Sequence, residues 1–297
     1  MHTQRFFDQT LDLIEHGGAP QALPMLAGKL YNAAIDHKTW AETRASLLQH
    51  RLHTVLLEDP FCARSFARPR GYPGDAGLID IIYDKAAPVT TSPLGRELFN
   101  ITVHFQAPEG VRQRRAHAQA MVTAAWAERK RILVLACGHF REGDELIGKD
   151  VSNITLVDQD TMSLDVIRSN HGDQPTCHTA PAIHTANVFR YLRLAASRGD
   201  RFDLIYTLGL TDYLDDRAMQ LLHRLVKTCL APRGTFLLAN FLPGHLGTGW
   251  MDAVMDWQLI YRDEAGLQGF ADGVGLKSRT WRDVTNSIAF CEMTDAV

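Results

Sequence analysis

The chain has 297 residues, 45% hydrophobic and 22% charged, enough to bury a sizeable core in one large domain or in a core domain with a covering element. Its formal net charge of −3 mixes both signs without a basic run, which argues against a nucleic-acid partner. Cys62, Cys137, Cys177, Cys229 and Cys291 are odd in number and lack CxxC spacing, and the apolar runs are only strand-sized. Neither a disulfide framework, a structural metal nor a membrane span is expected, and a cytoplasmic setting follows by default.

The N-terminal stretch MHTQRFFDQTLDLIEHGG has the pattern of an amphipathic helix and differs from a signal peptide. From Phe6 to about Leu57, apolar residues recur at three- and four-residue intervals through Leu23, Leu26, Leu30, Leu47, Leu52 and Leu56. That spacing predicts three helices, the first ended by Gly17, Gly18 and Pro20. Pro60 to Ala76 carries three prolines and two glycines and reads as a structured loop, not a helix interior. Helices are predicted again over Leu78–Tyr83, Leu94–Phe105 and Pro108–Lys130.

After Arg131 short apolar runs alternate with helical stretches, so the chain divides into residues 1–130 and 131–297. Strands are predicted at Ile132–Ala136, Ile154–Val157, Cys177–Ala180, Leu204–Thr207 and Thr235–Ala239, with one more, parallel or antiparallel, in Val284–Met293. Helices are predicted near Glu142–Ile147, Thr161–Ser169, Val188–Ser197 and Asp216–Leu230, and in a stretch starting near Trp250. This alternation argues for an α/β, Rossmann-like fold with a parallel sheet between helices.

The most informative segment is RILVLACGHFREGDEL, Arg131 to Leu146. A buried strand runs through Ala136 and Cys137 into Gly138, which lets the backbone approach a ligand at the carboxyl edge of the sheet. About twenty residues on, ITLVDQD sets Asp158 at the end of the second strand, where a carboxylate can accept both ribose hydroxyls. Phe140 replaces a glycine of the dinucleotide fingerprint and no phosphate loop is present. A nucleoside ligand without pyrophosphate, such as S-adenosylmethionine (SAM), suits these residues. Gln159 would then lie near its adenine, with Asn187 and Val188 on the edge and face of the base. Cys137 itself reads as a packed thiol.

The order CG…VDQD…AN…FDLIYTLGLTDYL…GTFLLANF resembles class I SAM-dependent methyltransferases from about residue 131 to the end. PRGYPGD (Pro69–Asp75), VRQRR (Val111–Arg115), DLIYTLGLTDYLDD (Asp203–Asp216) and MDWQLIYR (Met255–Arg262) are similar to a bacterial subgroup linked to hydroxypalmitate methyl ester biosynthesis. The resemblance implies a seven-stranded sheet of order 3-2-1-4-5-7-6, an N-terminal helical lid, and SAM contacts at Gly138, Asp158, Gln159, Asn187 and Leu208. It departs from the subgroup's pattern at His139, Phe140 and Leu242, positions that bear on the substrate.

Methyl transfer needs alignment of the acceptor with an activated methyl, and a base only where the acceptor must lose a proton. In PRGYPGD, Tyr72 is expected near the sulfonium, with Arg70 or Asp75 holding the aminocarboxylate; a structural turn is the alternative. Tyr213 and Asp212, after the fourth strand, are candidate catalytic groups, Asp212 as a base or else a helix cap or a solvated loop residue. Trp257, Tyr261, Arg262 and the strand residue Asn240 are candidates for the acceptor pocket. Trp257 and Tyr261 would share a helix face, with core packing as the alternative for these aromatics. The acceptor would be a small acidic or amphipathic molecule such as a fatty or amino acid. Two other readings remain open: intramolecular cyclisation of SAM with release of methylthioadenosine, and SAM binding without turnover. The N-terminal helices would cap one subunit or pack on a second in a homodimer.

Overall fold

The computed structural model describes residues 2–173 and 177–295. Eight helices come first: α1 (His2–Glu15), α2 (Ala19–Asp36), α3 (Trp40–Leu48), α4 (Arg51–Leu56), α5 (Pro60–Ala67), α6 (Ala76–Asp84), α7 (Pro93–Thr102) and α8 (Gln106–Ala127). Then follow β1 (Ile132–Leu135), β2 (Ile154–Asp158), α9 (Thr161–His171), β3 (Ala182–Thr185), α10 (Val188–Arg198), β4 (Phe202–Thr207), α11 (Asp216–Cys229) and β5 (Leu230–Phe241). The chain closes with α12 (Thr248–Ala253), α13 (Glu264–Asp272), β6 (Lys277–Arg282) and β7 (Ile288–Thr294).

These elements pack as two units: residues up to Arg112 together with Pro243–Gln258, and Gln113–Leu242 together with the chain from Leu259 onward. The boundary therefore falls inside α8, ahead of the change in periodicity at Arg131.

In the first unit α2 buries Leu23, Leu26 and Leu30 completely, one apolar stripe at helical spacing. The segment Pro243–Gln258 is held there by side chains from distant helices. Trp40 Nε1 donates to Asp252 at 2.9 Å, Arg44 Nη2 to Asp256 at 2.6 Å, His53 Nε2 meets the Val254 carbonyl at 3.0 Å, and Ser65 Oγ donates to the Met255 carbonyl at 3.0 Å.

The second unit is built on a seven-stranded sheet of order β3-β2-β1-β4-β5-β7-β6. β1 to β5 run parallel, and β7 is antiparallel to both β5 and β6. β1, ILVL, is buried throughout, as a central parallel strand covered on both faces must be. Leu133 and Leu135 join Ile205, Phe236 and Leu238 against Val188 and Leu192 of α10, Met219, Leu222 and Val226 of α11, and Leu267 of α13. On α8, His117 packs against Trp281 and Phe290 of β6 and β7.

Five expectations are corrected. The third predicted helix, through Trp40–Leu56, is two, α3 and α4, because His50 is extended and caps the Leu52 N–H at 3.0 Å. Pro60–Ala67 is helical, because Pro60 sits in the first turn, where its missing N–H costs nothing, and Asp59 caps the Phe61 N–H at 2.9 Å. The helix ends before Pro69, with Arg68 left-handed at φ 48°. The third strand lies at Ala182–Thr185 rather than Cys177–Ala180, paired in register with Thr155–Asp158. Glu142–Ile147 forms a 3-10 turn (Arg141–Leu146) instead of an α-helix. The stretch from Trp250 stops as helix at Ala253: Asp256 takes a left-handed φ of 49° and spends its carboxylate on Arg44 and Arg68. Trp257 and Tyr261 therefore share no helix face.

Candidate cofactor and acceptor site

In an open α/β sheet, ligands bind beyond the carboxyl ends of the strands, where the order reverses. Here that place is the end of β1 and β4, between which the sheet switches direction of winding. After β1 the backbone is unusual: Ala136, Gly138 and Phe140 are all left-handed, at φ 53°, 53° and 52°. For the two residues with side chains this conformation costs about 1–3 kcal/mol each and persists only where the surroundings enforce it. Two anchors do so. Cys137 N–H donates to the Val157 carbonyl at 3.2 Å, and the Phe140 ring, 1% exposed, packs so closely on Gly143 that a Cβ there would lie 2.1 Å from it. The aromatic that replaces a glycine of the fingerprint is thus a core residue, and the Cys137 thiol is buried, its pKa raised well above the ordinary value by burial.

Asp158 ends β2 and is mostly buried, which raises its pKa against the stabilising effect of backbone donors. Gly138 N–H donates to Oδ2 and Asp160 N–H to Oδ1, at 2.8 and 2.9 Å. Backbone donors on both oxygens fix the carboxylate and leave acceptor capacity for a ligand diol. Gln159 is exposed beside it. Asn187 is exposed and caps α10 by accepting the Phe189 N–H at 3.0 Å; Val188 is buried. Leu208, following β4, is half-buried.

The ends of β4 and β5 carry the remaining chemistry. Asp212 is 2% exposed; its Oδ1 accepts the Phe241 N–H at 2.7 Å and its Oδ2 lies 3.8 Å from Arg114 Nη1. Burial pushes its pKa up to about 7, outweighing the Arg114 charge, the Phe241 donor and Arg262. It is not the cap of α11, since Asp215 fills that role by accepting the Ala218 N–H at 2.8 Å. Tyr213 is 39% exposed, while Tyr261 is half-buried. Asn240 is fully buried and donates to the Ile260 carbonyl at 2.9 Å, but its Oδ1 has no hydrogen-bond partner. Arg262 is committed to the fold. It donates to the Thr211 and Leu214 carbonyls and to Asp216, at 3.0, 2.6 and 2.8 Å, and so organises the loop that bears Asp212.

Arg70, Tyr72, Asp75 and Trp257 belong to the first unit. Asp75 is fully buried; it caps α6 through the Leu78 N–H at 2.7 Å and receives Arg64 Nε and Nη2 at 2.8 and 2.9 Å. Gly71 of the same loop is left-handed at φ 86°. Trp257 is 5% exposed, its N–H donating to the Met251 carbonyl at 2.7 Å.

Three residues of the second unit were not singled out from sequence. Glu142 is buried, its pKa raised by burial, and accepts the hydroxyl of fully buried Tyr206 at 2.7 Å. Arg114, inside VRQRR, is 5% exposed, and its positive charge acts on both Glu142 and Asp212. In the sequence VRQRR is only a mark of the resemblance, without a role for Arg114, because no sequence pattern shows that this arginine or the REGDEL acid is buried. Among the described residues no group of three or more His, Cys, Asp or Glu gathers as for a metal ion, and none of the helices is long and apolar enough to cross a membrane.

No protein-family model and no curated protein matches this chain. Among solved structures, a possible exported protein from Bordetella parapertussis is similar over 75% of this chain and 80% of its own, at 17% identity and a TM-score of 0.54. Weaker likenesses are to magnesium protoporphyrin IX methyltransferase from Synechocystis PCC 6803 with bound S-adenosylhomocysteine (SAH) and to the N-methyltransferase NodS from Bradyrhizobium japonicum WM9 in complex with SAH. Both are 12% identical; they span 64% and 62% of this chain and 87% of their own, with TM-scores of 0.47 and 0.44. At these identities the likeness is one of fold. The observed strand order is the one that the resemblance to class I methyltransferases implies.

Proposed function

We propose that the chain is a SAM-dependent enzyme that transfers the methyl group to a small-molecule acceptor. The observation that carries this reading is the strained Ala136–Phe140 turn at the switch point, locked to the Asp158 carboxylate through Gly138 N–H. A turn held out of its preferred conformation, with side-chain-free backbone facing the sheet edge, suits close approach of a nucleoside. Asp158 would hold the ribose hydroxyls, Gln159, Asn187 and Val188 the adenine, and Ala136, Cys137, Gly138 and Leu208 would line the path to the sulfonium. Arg70 and Tyr72 are proposed as further cofactor contacts on their sequence context.

SAM supplies an activated sulfonium methyl. What remains for the protein is to align the acceptor and exclude water, an effect worth about 7–11 kcal/mol of barrier where the geometry is tight. Asp212, with a pKa near 7, is suited to take a proton from an acceptor that must lose one. Tyr213, Asn240, Trp257 and Tyr261 are the proposed acceptor-facing groups, and Arg262 positions the Asp212 loop. The test is incubation of the purified protein with SAM, without and with candidate acids, and mass spectrometry of the nucleoside products. SAH formation stimulated by an acceptor supports methyl transfer. Methylthioadenosine formed with no acceptor would replace it by intramolecular chemistry, and binding with no turnover by a non-catalytic role.

A further inference from the structure

We propose that Arg114 is the carboxylate anchor of this site, receiving an acid group on the Nη1/Nη2 edge of its guanidinium at the carboxyl end of β4. The inference rests on the cofactor reading above and names the chemistry of one ligand group. The side chain of Arg114 is 6% exposed, and neither Nε nor Nη1 has a hydrogen-bond partner. Its contact with Asp212, 3.8 Å from Nη1 to Oδ2, is an ion pair too long for a hydrogen bond. A buried guanidinium with idle donors is costly, and natural folds keep such groups for a partner. The Nη1/Nη2 edge is turned toward Gly209, immediately beyond β4: a Cβ there would lie 3.7 Å from Nη2 and 3.9 Å from Nη1, so glycine sets no side chain against that edge.

The surroundings select the ligand's charge. Glu142 and Asp212 lie in the positive field of Arg114, and the two charges of a dianionic phosphate would exceed the single charge of the guanidinium. A single carboxylate matches the planar fork and adds one charge. Burial also disfavours the charged form of both acids, which leaves the guanidinium short of a counter-ion. Two molecules in the proposed reaction carry such a group: SAM, through its aminocarboxylate, and an acidic acceptor.

Calorimetry on the full chain separates these sources, using SAH, methylthioadenosine (which lacks the aminocarboxylate) and octanoate added to the SAH complex. If the cofactor supplies the carboxylate, Arg114→Met weakens SAH binding about 10- to 100-fold and leaves methylthioadenosine unchanged. If the acceptor supplies it, Arg114→Met keeps SAH affinity and loses octanoate. In either case Arg114→Lys, which retains the charge without the fork, recovers only part of the loss. Gly209→Val, which fills the approach and leaves the arginine intact, reproduces it even where Arg114→Met fails to fold. Variants that melt like the wild type and bind all three ligands equally well would overturn the anchor. A wild type that binds SAH no better than methylthioadenosine, and no octanoate, overturns the anchor and leaves the cofactor reading standing. A wild type that binds neither nucleoside removes the cofactor reading and the anchor with it.

Discussion

Asp212 accepts the Phe241 N–H and lies beside Arg114, yet burial keeps its proton up to about pH 7. In the unfolded chain the same group loses its proton at the ordinary value, 3.8. Between about pH 4 and 7 the folded state therefore binds more protons, so this group's contribution to stability falls as pH rises and levels off above 7. Asp212→Asn keeps an oxygen for the Phe241 N–H and cannot ionise. Its stability relative to the wild type is expected to improve from pH 5 to pH 8, measured by urea denaturation at the two values. If the group also serves as base, the wild-type kcat/KM rises through pH 7 and that limb disappears in the variant. Glu142 and Tyr206 make the second residue-scale case. Tyr206→Phe leaves a buried carboxyl without its hydroxyl donor and is expected to cost about 1–3 kcal/mol by chemical denaturation.

At the scale of elements, the helices of the first unit are held by caps and close backbone approach. Asp75 joins both devices: it starts α6 and neutralises Arg64 with no exposure of its own. Asp75→Ala removes a cap and strands a partly exposed arginine, an expected loss of about 3 kcal/mol, read from the denaturation midpoint. Gly249 lets α12 rest directly on α2. A Cβ there would stand 2.5 Å from the Leu30 carbonyl carbon and oxygen, both backbone atoms that cannot swing aside. Gly249→Ala is therefore expected to destabilise by about 1–3 kcal/mol, although alanine favours helix, and thermal melting checks it. Periodicity located most helices because their buried stripes repeat at 3.6 residues. It missed α5, where prolines suggested a loop, because the cost of proline depends on its place in the helix.

At the scale of the whole molecule, the chain crosses between its two units three times, within α8 and at both ends of Pro243–Gln258. A single cut therefore cannot separate them, and unfolding need not be one cooperative step. Ligand linkage gives the corresponding prediction. SAH at one hundred times its Kd stabilises the state that binds it by about 2.7 kcal/mol, a rise of about 5–10 °C in the midpoint of the unit holding the site. Calorimetric scans with and without SAH check this, and an unmoved midpoint would count against the cofactor reading.

The sequence by itself determined the local quantities: the change of periodicity near Arg131, the buried run ILVL, the glycine after it, and Asp158 at the end of the next strand. Each depends on neighbours a few residues away, which is where propensity and pattern act. Strand order was legible only through the family resemblance, since pairing partners are far apart in the chain. Tertiary structure alone decided which polar residues are buried. It gave Asp75 and Arg262 to the fold, placed Phe140 in the core, and brought Arg114, Glu142, Tyr206 and Asp212 into one set of charges. Burial sets both the cost of a charge and its pKa, and burial is a property of the packed chain that no local pattern encodes.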